Sequence, residues 1–103
     1  MVDASRFDIV LVRREPTVGS EIRKTRPCVE MNQVLRTVIV APMTTRGHAY
    51  PWRVAVTFAE NDGHIALDQI RAVDRQRLAK RLGKLNHATA FRVLDILAEM
   101  FAP

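Results

Sequence analysis

One cysteine, Cys28, is the entire thiol content of the chain, so no disulfide can form within it. Set in an apolar run, Cys28 reads as a small buried hydrophobe rather than a reactive thiol. No apolar run approaches the roughly 18 residues that a bilayer crossing needs. Met1 to Phe7 lacks a positive segment leading into an apolar one, so no signal peptide is expected and a soluble cytoplasmic protein follows by default. Glycine and proline number only four and five in 103 residues, and 48% of the chain is hydrophobic, which argues against disorder. His48, His64 and His87 show no metal-ligand spacing and have no cysteine partners. There is no glycine-rich phosphate loop and no serine nucleophile elbow. Metal and acyl-transfer chemistry are therefore disfavoured, and no cofactor or metal is expected.

What the chain does have is arginine. The net charge is +5, and 13 of the 16 basic residues are Arg. Guanidinium groups fork onto phosphate oxygens, so an anionic partner fits. A GC-rich genome also exchanges Lys for Arg, so charge alone leaves nucleic acid an even choice. The length suits one domain, residues 1–103, with a thin core that a second copy could help to cover.

The first two-thirds reads as short strands broken by turns. Phe7 to Val12, Pro27 to Met31, Thr37 to Ala41, Trp52 to Phe58 and His64 to Ile70 are the five runs. Thr37 to Ala41 is apolar on both faces, as a doubly covered central strand requires. Trp52, Val54, Val56 and Phe58 alternate with Arg53, Ala55 and Thr57. Pro16 to Gly19, Gly47 to Pro51 and Asn61 to Gly63 punctuate the runs. Towards the end the period changes. Phe91, Leu94, Ala98 and Phe101 share one helical face, with Asn86 as N-cap, and Asp74 to Leu82 predicts a short helical turn stopped by Gly83. Five strands and a terminal helix predict a mainly β fold, a small bent barrel of the SH3-like kind.

Three polar clusters could carry chemistry. Gly19 to Pro27 sets Arg23, Lys24 and Arg26 beside one carboxylate, Glu21. Such a loop can grip several phosphates or simply be solvated. Pro42 to Gly47 brings Thr44, Thr45 and Arg46 off the end of a buried strand. Those hydroxyls can donate to a phosphoryl oxygen or cap a turn. Asp68 points outward if Ile65 and Leu67 point in, with Gln69 and Arg71 beside it. An exposed Asp among arginines is more often half of an ion pair than a base.

The order of these clusters resembles the MazF/PemK (Kid) toxin family. The matching stretches include Pro16-Thr17-Val18-Gly19-Ser20-Glu21, Lys24-Thr25-Arg26-Pro27, Pro42-Met43-Thr44-Thr45 and Leu67-Asp68-Gln69-Ile70-Arg71-Ala72-Val73-Asp74. The resemblance runs over nearly the whole chain and implies a PemK/CcdB-like barrel with a C-terminal helix. It further implies a homodimer that cuts single-stranded RNA at short motifs without a metal, leaving a 2′,3′-cyclic phosphate and a 5′-hydroxyl. A cognate acidic antitoxin would cover the RNA groove, and no membrane is involved. By position, Arg26 matches the family's catalytic arginine and Thr44 the threonine of its site; Glu21 is a polar neighbour, and Asp68 matches a carboxylate proposed as base in one branch. That branch carries an Arg two residues earlier, where this chain has Ala66. Arg23, Lys24, Thr45, Arg46, Gln69 and Arg71 are the expected RNA contacts. A gyrase-poisoning toxin of the CcdB type and a non-catalytic nucleic-acid-binding module are the alternatives. RNA cleavage in the absence of gyrase, and cleavage rather than binding alone, separate them.

Overall fold

β3 (Thr37–Thr44) anchors the sheet because it is apolar on both sides. Val38 and Val40 face one cluster, with Val10, Val12, Cys28, Val73 and Leu78. Ile39 and Ala41 face the other, with Ile9, Val29, Val54, Ile65, Leu67 and Val93. The computed structural model describes residues 2–13, 25–45 and 51–103. The turn expected at Pro16 to Gly19, and all but Pro51 of the one expected at Gly47 to Pro51, lie outside them.

Around β3 the other elements are β1 (Asp8–Arg13), β2 (Thr25–Val34), β4 (Arg53–Phe58), β5 (Asn61–Ala66), β6 (Arg71–Asp74), β7 (Leu78–Lys84) and α1 (His87–Met100). The pairings are antiparallel in the order β4-β5-β3-β2-β1-β7, and β6 also pairs β3. β3 serves two partners along its length: Thr37 to Val40 pair with β6, and Met43 and Thr44 pair with β5. Register shifts between Glu30 and Asn32, and twice between β1 and β7, bend the strands. The result is the expected mainly β, barrel-like fold with a terminal helix, left open between β4 and β7.

Three expectations are corrected. Asp74 to Leu82 is not a helix. A 3-10 turn at Arg75–Arg77 leads into β7, and Gly83 lies inside that strand. Among the described residues β7 pairs only with β1, so its outward residues stay polar and the segment lacks a strand's apolar signature. The turn placed at Asn61 to Gly63 belongs one step earlier. Ala59 and Glu60, at φ 52° and 65°, make the two-residue hairpin bend, and β5 starts at Asn61 and ends at Ala66 rather than Ile70. Two consecutive positive φ angles match the hairpin's twist, although neither residue is the usual Gly or Asn.

The helix is where expected, and the Asn86 side chain accepts from the Thr89 amide at 2.8 Å. Its buried face is not the one predicted. Ala90 and Val93 are buried, and Ile96, Leu97 and Met100 pack against the same cluster. Phe91, Leu94, Ala98 and Phe101 are exposed. The sequence carries two apolar stripes offset by one residue, and period alone cannot choose between them. Small Ala90 and Val93 let the helix backbone approach the sheet. Among the described residues no helix is long and apolar enough to cross a membrane.

Candidate functional site

The alternation of a strand places Arg26 and Cys28 on one face of β2, and Pro42 and Thr44 on the matching face of β3. Cys28 pairs with Pro42 in an antiparallel register. Continued by two residues on each strand, that register sets Arg26 level with Thr44. On the far side of β3, Thr44 pairs with His64, and His64 pairs with Ala55 of β4. One row of side chains therefore crosses four strands: Arg26, Thr44, His64, Ala55. Close approach at Thr44 depends on Gly63, where a Cβ would lie 2.4 Å from the Thr44 carbonyl oxygen.

Arg26 borders two cavities. The first, of about 400 Å³, has Val12, Cys28, Val40 and Pro42 on its walls, with Arg13, Arg26, Arg71, Arg77 and Gln69 around them. Four guanidinium groups and no described carboxylate line it, so it suits an anion. Arg77 donates from Nε to the Arg13 carbonyl at 2.9 Å, and its Nη2 is buried with no partner among the described residues. The second cavity, of about 550 Å³, is bordered by Thr25, Arg26, Met43, Thr44, Thr45 and His64, with Val56 and Phe58.

Cys28 sits among these arginines yet stays a thiol. Burial pushes it up to about 11, outweighing Arg26, Arg71 and Arg77, which pull the other way. At neutral pH it offers no thiolate. It is 5% exposed, the buried small hydrophobe that was expected.

Asp68 lies on a 3-10 turn after β5 and is held from β4. Arg53, the cross-strand partner of Ala66, reaches over to it with Nε to Oδ1 at 3.0 Å and Nη2 to Oδ2 at 3.2 Å. Thus an arginine sits beside Asp68 after all, supplied by the neighbouring strand rather than by position 66. That hydrogen-bonded pair holds the Asp68 carboxyl below the usual carboxylate range, against a smaller effect of burial. A carboxylate so held is a poor proton acceptor.

Of the residues expected in the site, Arg26 meets Gln69 and Arg71 at the first cavity and Thr44 and Thr45 at the second. Asp68 borders neither. Glu21, Arg23, Lys24 and Arg46 lie outside the described residues. Sequence reasoning missed Arg13, Arg77, Arg53 and His64. The first two come together only through the β1–β7 pairing, which the sequence did not disclose. His64 was weighed only as a metal ligand.

Residues 5–101 match the family model of PemK-like, MazF-like toxins of type II toxin–antitoxin systems. The chain belongs to that family. It is 31% identical over 71 residues to the endoribonuclease toxin MazF of Escherichia coli K12, covering 64% of this chain and 64% of that relative. An endoribonuclease from a mycobacterial species, solved in complex with its cognate antitoxin, superposes with a TM-score of 0.77 at 19% identity, covering 98% of both chains. The MazE–MazF structure from Deinococcus radiodurans gives 0.76 at 17% identity, covering 96% of this chain and 95% of that one. At these identities the two structures speak for the fold.

Proposed function

We propose that this chain is the toxin of a type II toxin–antitoxin pair, acting as a metal-independent endoribonuclease on single-stranded RNA. The observation that carries the reading is Arg26, which borders one cavity together with Thr44 and a neighbouring cavity ringed by arginine. The likeness to endoribonucleases of this family supports it.

The chemistry follows from what the row offers. The ribose 2′-oxygen attacks the adjacent phosphorus, the bond to the 5′-oxygen breaks, and a 2′,3′-cyclic phosphate and a 5′-hydroxyl result. DNA lacks the attacking group, so the reaction selects RNA. Charge grows on the non-bridging oxygens in the transition state. Arg26 supplies a permanent cation there and Thr44 a hydroxyl donor, an electrostatic contribution that usually dominates. A guanidinium does not give up its proton readily, so the role of Arg26 is to stabilise charge rather than to move protons. Arg13, Arg71, Arg77 and Gln69, with Thr45, bind neighbouring phosphates, and Arg23, Lys24 and Arg46 are the further expected RNA contacts.

Residues 1–103 act as one cytoplasmic toxin unit, and two copies form a homodimer. The arginine ring also suits an acidic antitoxin segment, whose carboxylates would take the place of phosphates. The test is an oligonucleotide with one 2′-deoxy sugar at the cleavage position, incubated in EDTA beside its all-RNA counterpart. The all-RNA strand is cut and the substituted one is not. Cutting of both, or a need for magnesium, would overturn the reading.

A further inference from the structure

We infer that His64 takes the proton from the attacking 2′-hydroxyl, an inference that rests on the RNA-cleavage reading above. His64 is the cross-strand partner of Thr44. It is two strands from Arg26, about 10 Å between backbones. A phosphate held by Arg26 and Thr44 would present its ribose to the next residue of the row. His64 is half-buried, borders the same cavity as Arg26, Thr44 and Thr45, and among the described residues no hydrogen bond or ion pair engages its ring.

Three other candidate proton acceptors among the described residues are unsuited to the task. Asp68 is clamped by two hydrogen bonds from Arg53. Cys28 is a thiol at neutral pH. Glu30 is fully buried and bonded to Gln33. An imidazole, by contrast, is the side-chain type that changes charge between pH 5 and 8 and exchanges protons readily there. Among the described residues, the charged groups that share a cavity lining with His64 are Arg26 from β2, Asp62 on β5 itself, which accepts from Thr57, and Lys84 at the end of β7. Its cross-strand partners on β3 and β4 are the uncharged Thr44 and Ala55.

In the step, the 2′-O–H bond breaks and its proton passes to the neutral imidazole nitrogen. The 2′-oxygen bonds to phosphorus, and the electron pair of the P–O5′ bond leaves with the 5′-oxygen. That oxygen takes a proton from water, and the hydroxide formed accepts the proton from the imidazolium. The enzyme returns to its starting state with no net water consumed.

The experiment compares wild type with His64→Gln and Glu21→Gln on an all-RNA oligonucleotide in EDTA, reading kcat/KM against pH. Melting temperatures confirm folding, and Kd is measured on the uncleavable 2′-deoxy analogue. For wild type the rate rises tenfold per pH unit and then levels off. His64→Gln loses that rise and at least ~100-fold of the plateau rate, with Kd unchanged. The deficit persists on a substrate whose 5′-oxygen is replaced by sulfur, because a better leaving group does not replace a base. Rescue by that sulfur would make His64 the acid instead and overturn the inference. So would a His64→Gln profile that keeps the rise, a rise lost in Glu21→Gln instead, or a Kd that weakens as much as the rate. Wild-type cleavage of the 2′-deoxy strand would sink the RNA-cleavage reading itself, a result distinct from all of these.

Discussion

The two faces of the β2–β3 pair are made of alternate residues of the same strands, yet they are built for different ends. One face presents Val29, Ala41 and their neighbours to α1 and the β4–β5 hairpin and carries the larger cluster of buried hydrophobic side chains. The other is apolar at Val10, Cys28, Val38 and Val40, then gives way to Arg13, Arg26, Arg71 and Arg77 around an open cavity. A one-residue step along either strand crosses from packing to chemistry. The fold can therefore keep its stability on one side while it concentrates positive charge on the other.

The largest test of that division strikes the helix-covered face. Ile65 is fully buried and belongs to the helix-covered cluster. Ile65→Ala should cost about 2–5 kcal/mol of stability, read by urea denaturation. At temperatures where the variant is folded, cleavage per folded molecule should fall far less.

The arginine face should behave in the opposite way. Arg26→Ala and Thr44→Ala should each lower cleavage by about 100- to 1000-fold, the cost of one lost oxyanion donor. Their melting temperatures should stay close to wild type, since neither side chain belongs to a core cluster. RNA binding should persist and weaken with salt, with a log–log slope near −0.7 per phosphate contacted on a single strand.

A smaller effect sharpens the boundary. Glu30 is fully buried, and its Oε1 has no partner among the described residues. Burial raises its carboxyl above the ordinary range, partly offset by the hydrogen bond from Gln33. A raised carboxyl contributes its stability below the unfolded-state pKa, near 4.3, and loses it as pH rises through the folded value. Glu30→Gln should therefore stabilise the protein at neutral pH by about 1 kcal/mol. Thermal melts should show that gain vanishing in acid.

The smallest effect is expected at Asp68. Arg53 holds its carboxyl low, so the pair contributes above the unfolded-state pKa and the contribution fades as pH falls below about 4. The side chain is one-third exposed, so Asp68→Asn should cost at most about 1 kcal/mol and only modestly change cleavage. A severe loss of cleavage would restore Asp68 as the base.

The parts legible in the sequence were those with a single physical reading. Thr37 to Ala41, apolar on both faces, suited a central strand, and the alternation of Val54, Val56 and Phe58 against Ala55 and Thr57 marked the inner face of β4. Asn86 announced its helix through its capping chemistry. Where two readings had equal support, local pattern failed. The offset stripes of α1 differ by one residue, and Leu78 to Lys84 is an edge strand whose polar residues suit a helix equally well. Arg26 and Thr44 stand 18 positions apart in the chain, and only the resemblance linked them before the register did. The Arg53–Asp68 pair and the placement of His64 beside Thr44 arise from strand pairing, which composition and spacing do not encode.

The most direct measurement is the chemistry of the cut ends. An RNA oligonucleotide digested in EDTA, with the fragments weighed by mass spectrometry, should yield 2′,3′-cyclic phosphates and 5′-hydroxyls from wild type and almost none from Arg26→Ala. Fragments ending in a 3′-hydroxyl and a 5′-phosphate, or cyclic phosphates formed equally well by Arg26→Ala, would contradict it.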